Sequence, residues 1–221
     1  MAEERRGLRR GLGFLGLLAL ALILALILLT LFGLPAAVGL PLALVGLWAV
    51  DYYFLGWMDF VLQREQHAVR GAEAEENVGA ILDRLPDCVV LHGIRKKCGD
   101  MECGDIDHVV FRRDGAVMLI ETKSRRGTIT EAVAAVFLDQ TLRNVCWLRD
   151  FLQAQLGFKP WISAAIVFPN ADVRVRRPLR RVDIVGAGYL DRWISKARGN
   201  PQVARKVWPE MDQIQTALRG L

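Results

Sequence analysis

Residues 104–123 read G-D-I-D-H-V-V-F-R-R-D-G-A-V-M-L-I-E-T-K, and this stretch decides the fold. Val117-Met118-Leu119-Ile120 is a continuous apolar run, as a central strand buried on both faces requires. Ile106 to Phe111 reads as its partner strand, with Arg113-Asp114-Gly115 as the turn between them. A three-residue loop with Gly115 left-handed sets a register that places Asp107 opposite Glu121. Directly opposed positions lie about 4.5–5.5 Å apart at Cβ. Two carboxylates that close repel unless something positive lies between them. A divalent cation held by oxygen ligands is the simplest solution, with Lys123 as a neighbouring point charge. Side chains alternate along a strand, so Lys123 shares the face of Glu121 while Thr122 takes the other. His108, one residue past Asp107, is expected on the opposite side and outside the site.

The neighbouring segments supply further candidates. Val78, Ile81, Leu82 and Leu85 recur at helical spacing in a segment expected to begin near Gly71 and end before Pro86. Glu75 lies on the same stripe, which aims its carboxylate at the core, where it needs a partner. The plain alternative is a solvated glutamate at a helix start, where the dipole favours it. Cys88 to His92 reads as a first strand, and Gly93 to Gly104 as a loop carrying Arg95-Lys96-Lys97. A short strand is expected over Thr128 to Thr130. A helix follows from about Val136 to Leu156, ended by Gly157 and docked through Phe137, Val145, Leu148 and Leu152. Gln140 and Asn144 are four apart and share one face, where amides serve a water, a phosphate or a metal-bound carboxylate, or simply meet solvent. Ile162 to Phe168 and Val182 to Val185 read as strands, and Tyr189 to Ala197 and Val203 to Leu218 as closing helices.

A carboxylate on one strand followed by Glu-x-Lys on the next resembles the PD-(D/E)xK nuclease superfamily. The set Gly71-x-x-x-Glu75, Ile106-Asp107-His108-Val109-Val110, Ile120-Glu121-Thr122-Lys123 with Gly127 after it, and Gln140 with Asn144 resembles the nuclease-related domain (NERD) family over roughly residues 68–190. The residue before Asp107 is Ile106 rather than proline, so the first half of the superfamily signature is degenerate. The resemblance implies a restriction-endonuclease-like α/β core, a mixed sheet flanked by helices, that hydrolyses phosphodiesters of DNA or RNA. It implies Asp107, Glu121 and the Thr122 backbone carbonyl as ligands of Mg²⁺ or Mn²⁺. Lys123 would position or help deprotonate the attacking water, Glu75 would support the metal's water shell, and Gln140 would orient substrate or water. Two other classes stay open: a nuclease fold kept only to bind nucleic acid, and a membrane-tethered interaction protein.

Composition bounds the remainder. The chain has 221 residues and 52% hydrophobic content, the excess being concentrated at the N-terminus. Its formal charge of +5 and pI of about 9.3 suit a polyanion or an anionic membrane surface, and neither follows from net charge alone. From Leu12 to Phe32 every residue is apolar or small except Thr30, a run long enough to cross about 30 Å of hydrocarbon. Gly33-Leu34-Pro35 breaks it, and Ala36 to Val50 continues it, extended past Asp51 by Tyr52 to Leu55. The run is too long for the ~7–15-residue core of a signal peptide. These features predict two membrane-spanning helices, about 12–32 and 36–55, within a region 1–65, followed by a nuclease-like domain over 66–221. Because Asp51 interrupts the second run, one span plus an interfacial or buried segment is the rival. Arg5, Arg6, Arg9 and Arg10 precede the first run, and Arg64 and Arg70 follow the second. The positive-inside rule then predicts a multi-pass protein of the inner membrane, both termini cytoplasmic and the hairpin in contact with lipid.

The four cysteines lack the density of a disulfide scaffold and are expected to be reduced. Cys98 and Cys103, with four residues between them, fit zinc spacing poorly. Arg174, Arg176, Arg177, Arg180 and Arg181 bracket a short apolar stretch. Such an edge serves phosphate contact, lipid headgroups or protection of an exposed strand.

Overall fold

A computed structural model describes residues 36–98 and 101–219, together with Leu20, Ile23 and Ile27. The chain divides into two compact units, Met1–His67 and Ala68–Leu221, and the division falls inside a long helix, here α1 (Ala36–Leu82). This helix begins far upstream of the Gly71 start that the apolar spacing predicts. Nothing between Pro41 and Gly71 breaks it, and the polar segment from Gln63 to Arg70 simply continues it.

Among the described residues no helix is long and apolar enough to cross a membrane. The expected multi-pass localisation, with both termini cytoplasmic, is therefore overturned, and the lipid contact expected of the hairpin loses its support. For the second expected span, 36–55, the physical reason is Asp51. It stops the apolar run that begins at Ala36 short of the ~20 residues a crossing needs. The first expected span, 12–32, lies outside the described residues except at Leu20, Ile23 and Ile27.

In the second unit, β1 (Cys88–Cys98), β2 (Met101–Arg112), β3 (Val117–Thr122), β5 (Ile162–Phe168) and β7 (Val182–Gly186) form one sheet in the order β1-β2-β3-β5-β7. The first three strands are antiparallel neighbours, and β3, β5 and β7 run parallel. A parallel neighbour needs a crossover, and α2 (Glu131–Leu156) provides it between β3 and β5. The short strands β4 (Gly127–Ile129) and β6 (Ala171–Val173) pair separately. A 3₁₀ turn (Ala187–Tyr189) and helices α3 (Leu190–Lys196), α4 (Pro201–Val207) and α5 (Met211–Arg219) complete the unit.

Helices cover both faces of the sheet, as a sheet with parallel central strands requires. On one face Leu148, Leu152 and Leu156 of α2 pack with Val109, Val117 and Leu119, joined by Val203 and Val207 of α4 and Ile214 and Leu218 of α5. On the other, Val78 and Leu82 of α1 and Leu190 and Ile194 of α3 pack with Val110, Met118 and Ile120. All six residues of β3 are buried, as its apolar run predicts. Each such large side chain contributes about 1.5–3 kcal/mol relative to exposure.

The β2–β3 hairpin has the expected three-residue loop. Arg112 and Ala116 close it (N···O 2.9 Å), Gly115 bonds back to the Arg112 carbonyl (2.8 Å), and Gly115 is left-handed at φ +85°. His108 pairs with Ile120 and Phe111 with Val117. The β1–β2 hairpin is much longer than expected. Gly93 to Gly104 is not a loop, because both strands run on to Cys98 and Met101. The ladder slips between Arg95 and Lys97, and Gly104 at φ +99° supplies the left-handed residue that such a bulge uses. Cys103 takes part in a disulfide, against the expectation of four reduced thiols, while Cys88 and Cys146 are free.

Gly115 also touches the closing helices. A Cβ there would overlap the Asn200 carbonyl and lie 2.6 Å from the Ala204 amide nitrogen. Gly127, equally left-handed at φ +86°, has nothing within 4 Å. We expect Gly127→Ala to cost about 1–2 kcal/mol through backbone strain alone. Gly115→Ala should cost clearly more, because backbone on both sides has to move. Urea unfolding of the two variants beside the wild type checks the order.

Candidate active site

The site begins with the register of β2 and β3. Continuing the pairing of His108 with Ile120 by one residue sets Asp107 beside Glu121, at the end of β3 where the ladder gives way. There the Asp107 side chain takes over from the backbone, its Oδ2 accepting the Thr122 amide at 2.6 Å. Both carboxylates are enclosed, Asp107 at 9% exposure and Glu121 at 0%. Burial pushes the Asp107 carboxyl up, opposed by the Thr122 amide and the Lys123 charge. Glu121 is pushed up to about 7, by burial first and by the Asp107 charge second.

The α2 stripe supplies partners for this pair. Residues 144, 148 and 152 lie four apart, so the face that buries Leu148 and Leu152 also carries Asn144 under the sheet. Asn144 Nδ2 donates to Glu121 Oε1 at 2.9 Å and to the Asp105 carbonyl at 3.1 Å. Its Oδ1 accepts from the Lys96 ammonium. One turn earlier, Gln140 Oε1 accepts from Lys123 Nζ at 3.2 Å. Lys123 Nζ also lies 3.5 Å from Glu121 Oε2 and 5.9 Å from the centre of the Phe137 ring. Three contacts of different kinds thus hold one ammonium at the edge of a buried carboxylate.

Lys96 is the residue that sequence reasoning missed. It sits on β1 opposite the bulge in β2, 7% exposed, in what reads as a solvated basic turn. Burial pushes its ammonium pKa down, while the charges of Glu121 and Asp105 act the other way. The available signal was Gly104, the left-handed glycine that lets a hairpin continue through a bulge. Asn144, considered beside Gln140 but given no site role, is the more deeply embedded of the two, fully buried and bonded on both its amide groups.

Glu75 does not aim at the core. Ala74, Val78 and Leu82 form the buried stripe of α1, and Glu75 stands exposed beside it. A residue one position off the stripe centre is turned about 100° around the helix, which suffices to bring it to the rim. Its carboxyl is still pushed up, by partial burial and then by the charges of Asp107 and Asp105. That places it electrostatically with the acidic group.

His108 turns to the other face, as alternation predicts. Its Nδ1 lies 2.8 Å from His92 Nδ1, and His92 Nε2 lies 3.0 Å from Asp83 Oδ1. Burial, then the His92 charge, holds His108 down at about 4, so it is neutral at pH 7. Among the described residues no group of three or more His, Cys, Asp or Glu side chains is arranged to hold a metal ion, Cys103 included.

Residues 70–169 match the family model described as nuclease-related domain. Over these residues the chain carries a domain of that family. The nuclease-related family is part of the PD-(D/E)xK-like nuclease superfamily, whose members generally use divalent metals. All the residues singled out at the site, Glu75, Lys96, Asp107, Glu121, Lys123, Gln140 and Asn144, fall inside the matched span. No curated protein matches the chain. Among solved structures, protein VC1899 from Vibrio cholerae is similar at 18% identity with a TM-score of 0.31. The likeness covers 57% of this chain and 33% of that one, and at this level it carries no argument.

The buried pair makes the stability of the nuclease-related domain depend on pH. Glu121 titrates near 4.5 when unfolded and near 7 when folded, so between those values the folded state holds the extra proton. Stability in chelator is therefore greatest toward the low end of that window and falls as pH rises through it. We expect Glu121→Gln, which keeps an acceptor for Asn144, to flatten this dependence and to raise the melting temperature at pH 8. Thermal melts at pH 5 and pH 8 in EDTA check both.

Proposed function

We propose that residues 68–221 are a metal-dependent nuclease that hydrolyses phosphodiester bonds of DNA or RNA. The observation that carries this reading is the closure of two buried, mutually repelling carboxylates, Asp107 and Glu121, with Lys123 on the same edge, inside a nuclease-related domain. The available donors are carboxylate and carbonyl oxygens, the set that suits Mg²⁺ or Mn²⁺ rather than a soft metal. Asp107, Glu121 and the Thr122 carbonyl would hold the ion. When bound, it supplies Lewis-acid chemistry, a more acidic attacking water and compensation of charge on the phosphate.

The remaining roles fall to the chain's own groups. Lys123 stands at the partly open edge of the site, where its ammonium pairs with a phosphate oxygen and orients the attacking water. Gln140 fixes the Lys123 side chain, which saves it from ordering a flexible stem at the moment of reaction. Asn144 fixes one oxygen of Glu121 and leaves the other toward Lys123. Glu75, exposed at the rim beside the acidic group, meets the solvent side of the site and accepts hydrogen bonds from its waters.

A second reading is favoured by Lys96. It brings a cation to Glu121 through Asn144, so the chain itself meets part of the charge. A nuclease fold retained only for binding would need no more than that.

The test uses the full chain with single- and double-stranded DNA and RNA in Mg²⁺, Mn²⁺ or EDTA. Cleavage is expected with metal and not with chelator, and Asp107→Ala should abolish it. Lys123→Ala should lower the rate by at least about 10²-fold while the chain stays folded, checked by circular dichroism. Full activity of that variant would remove Lys123 from the mechanism. No cleavage, with calorimetry showing no metal binding, would leave the binding module.

A further inference from the structure

The arginine-rich segment after β6 lies outside the matched family span and has no part in the chemistry above. It borders two adjoining depressions of about 540 and 550 Å³ along the outer edge of β7, which share Arg177 and Asp183. The first is lined by Arg176, Arg177, Arg192 and Lys196, and the second adds Arg181. All five cations are exposed, and none has an ion-pair partner among the described residues. The two neighbouring arginines differ, because Arg174 is paired with Asp172 and Arg180 with Asp139. The one acid in the trough, Asp183, accepts the Trp193 indole N–H at 2.9 Å. Five unpaired cations around one engaged carboxylate make a site for a polyanion.

Aromatic surface lies among those charges. Tyr189 in the first depression is 69% exposed, and Trp161 in the second is 60% exposed. Cations alone would serve any phosphate-bearing ligand. Cations interleaved with exposed rings serve a strand whose bases are unpaired and free to stack. A duplex keeps its bases stacked on each other and would leave both rings in water.

The trough also has the right position. Thr122 pairs with Val167, Val167 with Val185, and Phe168 with Gly186, where the trough begins. Two strand spacings of about 4.8 Å separate that level of β7 from the end of β3. A strand lying in the trough therefore reaches the carboxylate pair within a few nucleotides. We propose that this trough binds single-stranded nucleic acid and delivers it to the Asp107–Glu121 site. The delivery step rests on the nuclease reading, whereas the binding step stands by itself.

The experiment measures binding of the full chain to oligo-dT and oligo-U of about 16 nucleotides, a length within the range of single-strand sites. Fluorescence anisotropy is followed across a salt series in EDTA, so that nothing is cleaved. Each arginine lost should reduce the slope of log K against log salt by about 0.7. The combination of Arg176→Ala, Arg177→Ala and Arg192→Ala is expected to lower it by about 2 and to weaken binding more than tenfold at moderate salt. Tyr189→Ala should weaken binding about tenfold with the slope unchanged, a split that loss of charge cannot produce. All these side chains are exposed, and unchanged melting temperatures confirm folding; if the triple variant fails to fold, Arg176→Gln with Arg177→Gln replaces it.

An unchanged slope, or equal affinity for a duplex of the same length, overturns the proposal. So does a trough that the variants show to be needed only for vesicles of phosphatidylserine and phosphatidylcholine. Binding with the expected slope by a chain that never cleaves would sink the nuclease reading and leave the trough. Cleavage indifferent to the trough variants, with binding equally indifferent, would do the reverse.

Discussion

The repulsion between Asp107 and Glu121 is the constraint on which the domain depends. Two ionised carboxylates about 5 Å apart at an effective dielectric near 20 cost about 3 kcal/mol. A loose structure would relax that cost by letting one side chain swing out to water. Here neither can leave. Glu121 is the last residue but one of a strand whose six residues are all buried, and Asp107 is tied to the Thr122 amide. The hairpin loop at Gly115 fixes the register, and the backbone of Asn200 and Ala204 presses against that loop from the other side. The apolar layers on both faces of the sheet thus hold in place a charge arrangement that is unfavourable by itself. Burial first, and this repulsion second, push the Glu121 carboxyl up to about 7.

The groups around the pair divide that load. Lys123 opposes Glu121 from the open edge, and Lys96 opposes it from below through Asn144. Both arrangements pass through α2, whose Gln140 and Asn144 lie one turn apart. The docking of α2 therefore sets the angle of both cations as well as filling the core. Leu148 and Leu152 secure that docking on the same stripe, so packing and electrostatics are not separable on this helix. An amide suits the Asn144 position because it donates to Glu121 and accepts from Lys96 at once, which neither a carboxylate nor an ammonium does.

Much of this is legible in residues 104–123. The apolar run of β3, the Asp-Gly turn and strict alternation are local signals, and they place Asp107, Glu121 and Lys123 on one edge and His108 on the other. Alternation has no competitor when both faces of a strand are buried. The helix carrying Glu75 was harder, because a 3.6-residue period leaves a neighbour of the stripe close to its border, and the rim and core positions differ by one residue. Lys96 was illegible for another reason. The sequence Arg95-Lys96-Lys97 is what a solvated turn looks like, and only a bulge in a long hairpin turns the middle lysine inward. Among the described residues the second expected span, 36–55, fell short by length: Asp51 ends its apolar run after about fifteen residues, where a crossing needs about 20.

The site also occupies the one seam in the sheet. β3 is antiparallel to β2 on one side and parallel to β5 on the other, so the sheet changes character there. At a purely antiparallel pair the chain turns back and closes the strand end with a hairpin. At a parallel strand the chain leaves for a crossover, and a crevice opens beyond the carboxyl end. β3 combines the two: its antiparallel neighbour contributes Asp107, while its own departure toward β4 and α2 leaves Glu121 and Lys123 at an open edge. The same parallel half aligns the ends of β5 and β7 with the end of β3. Whatever is held beside β7 is thereby held on the level of the carboxylates, a consequence of strand direction before any side chain is considered.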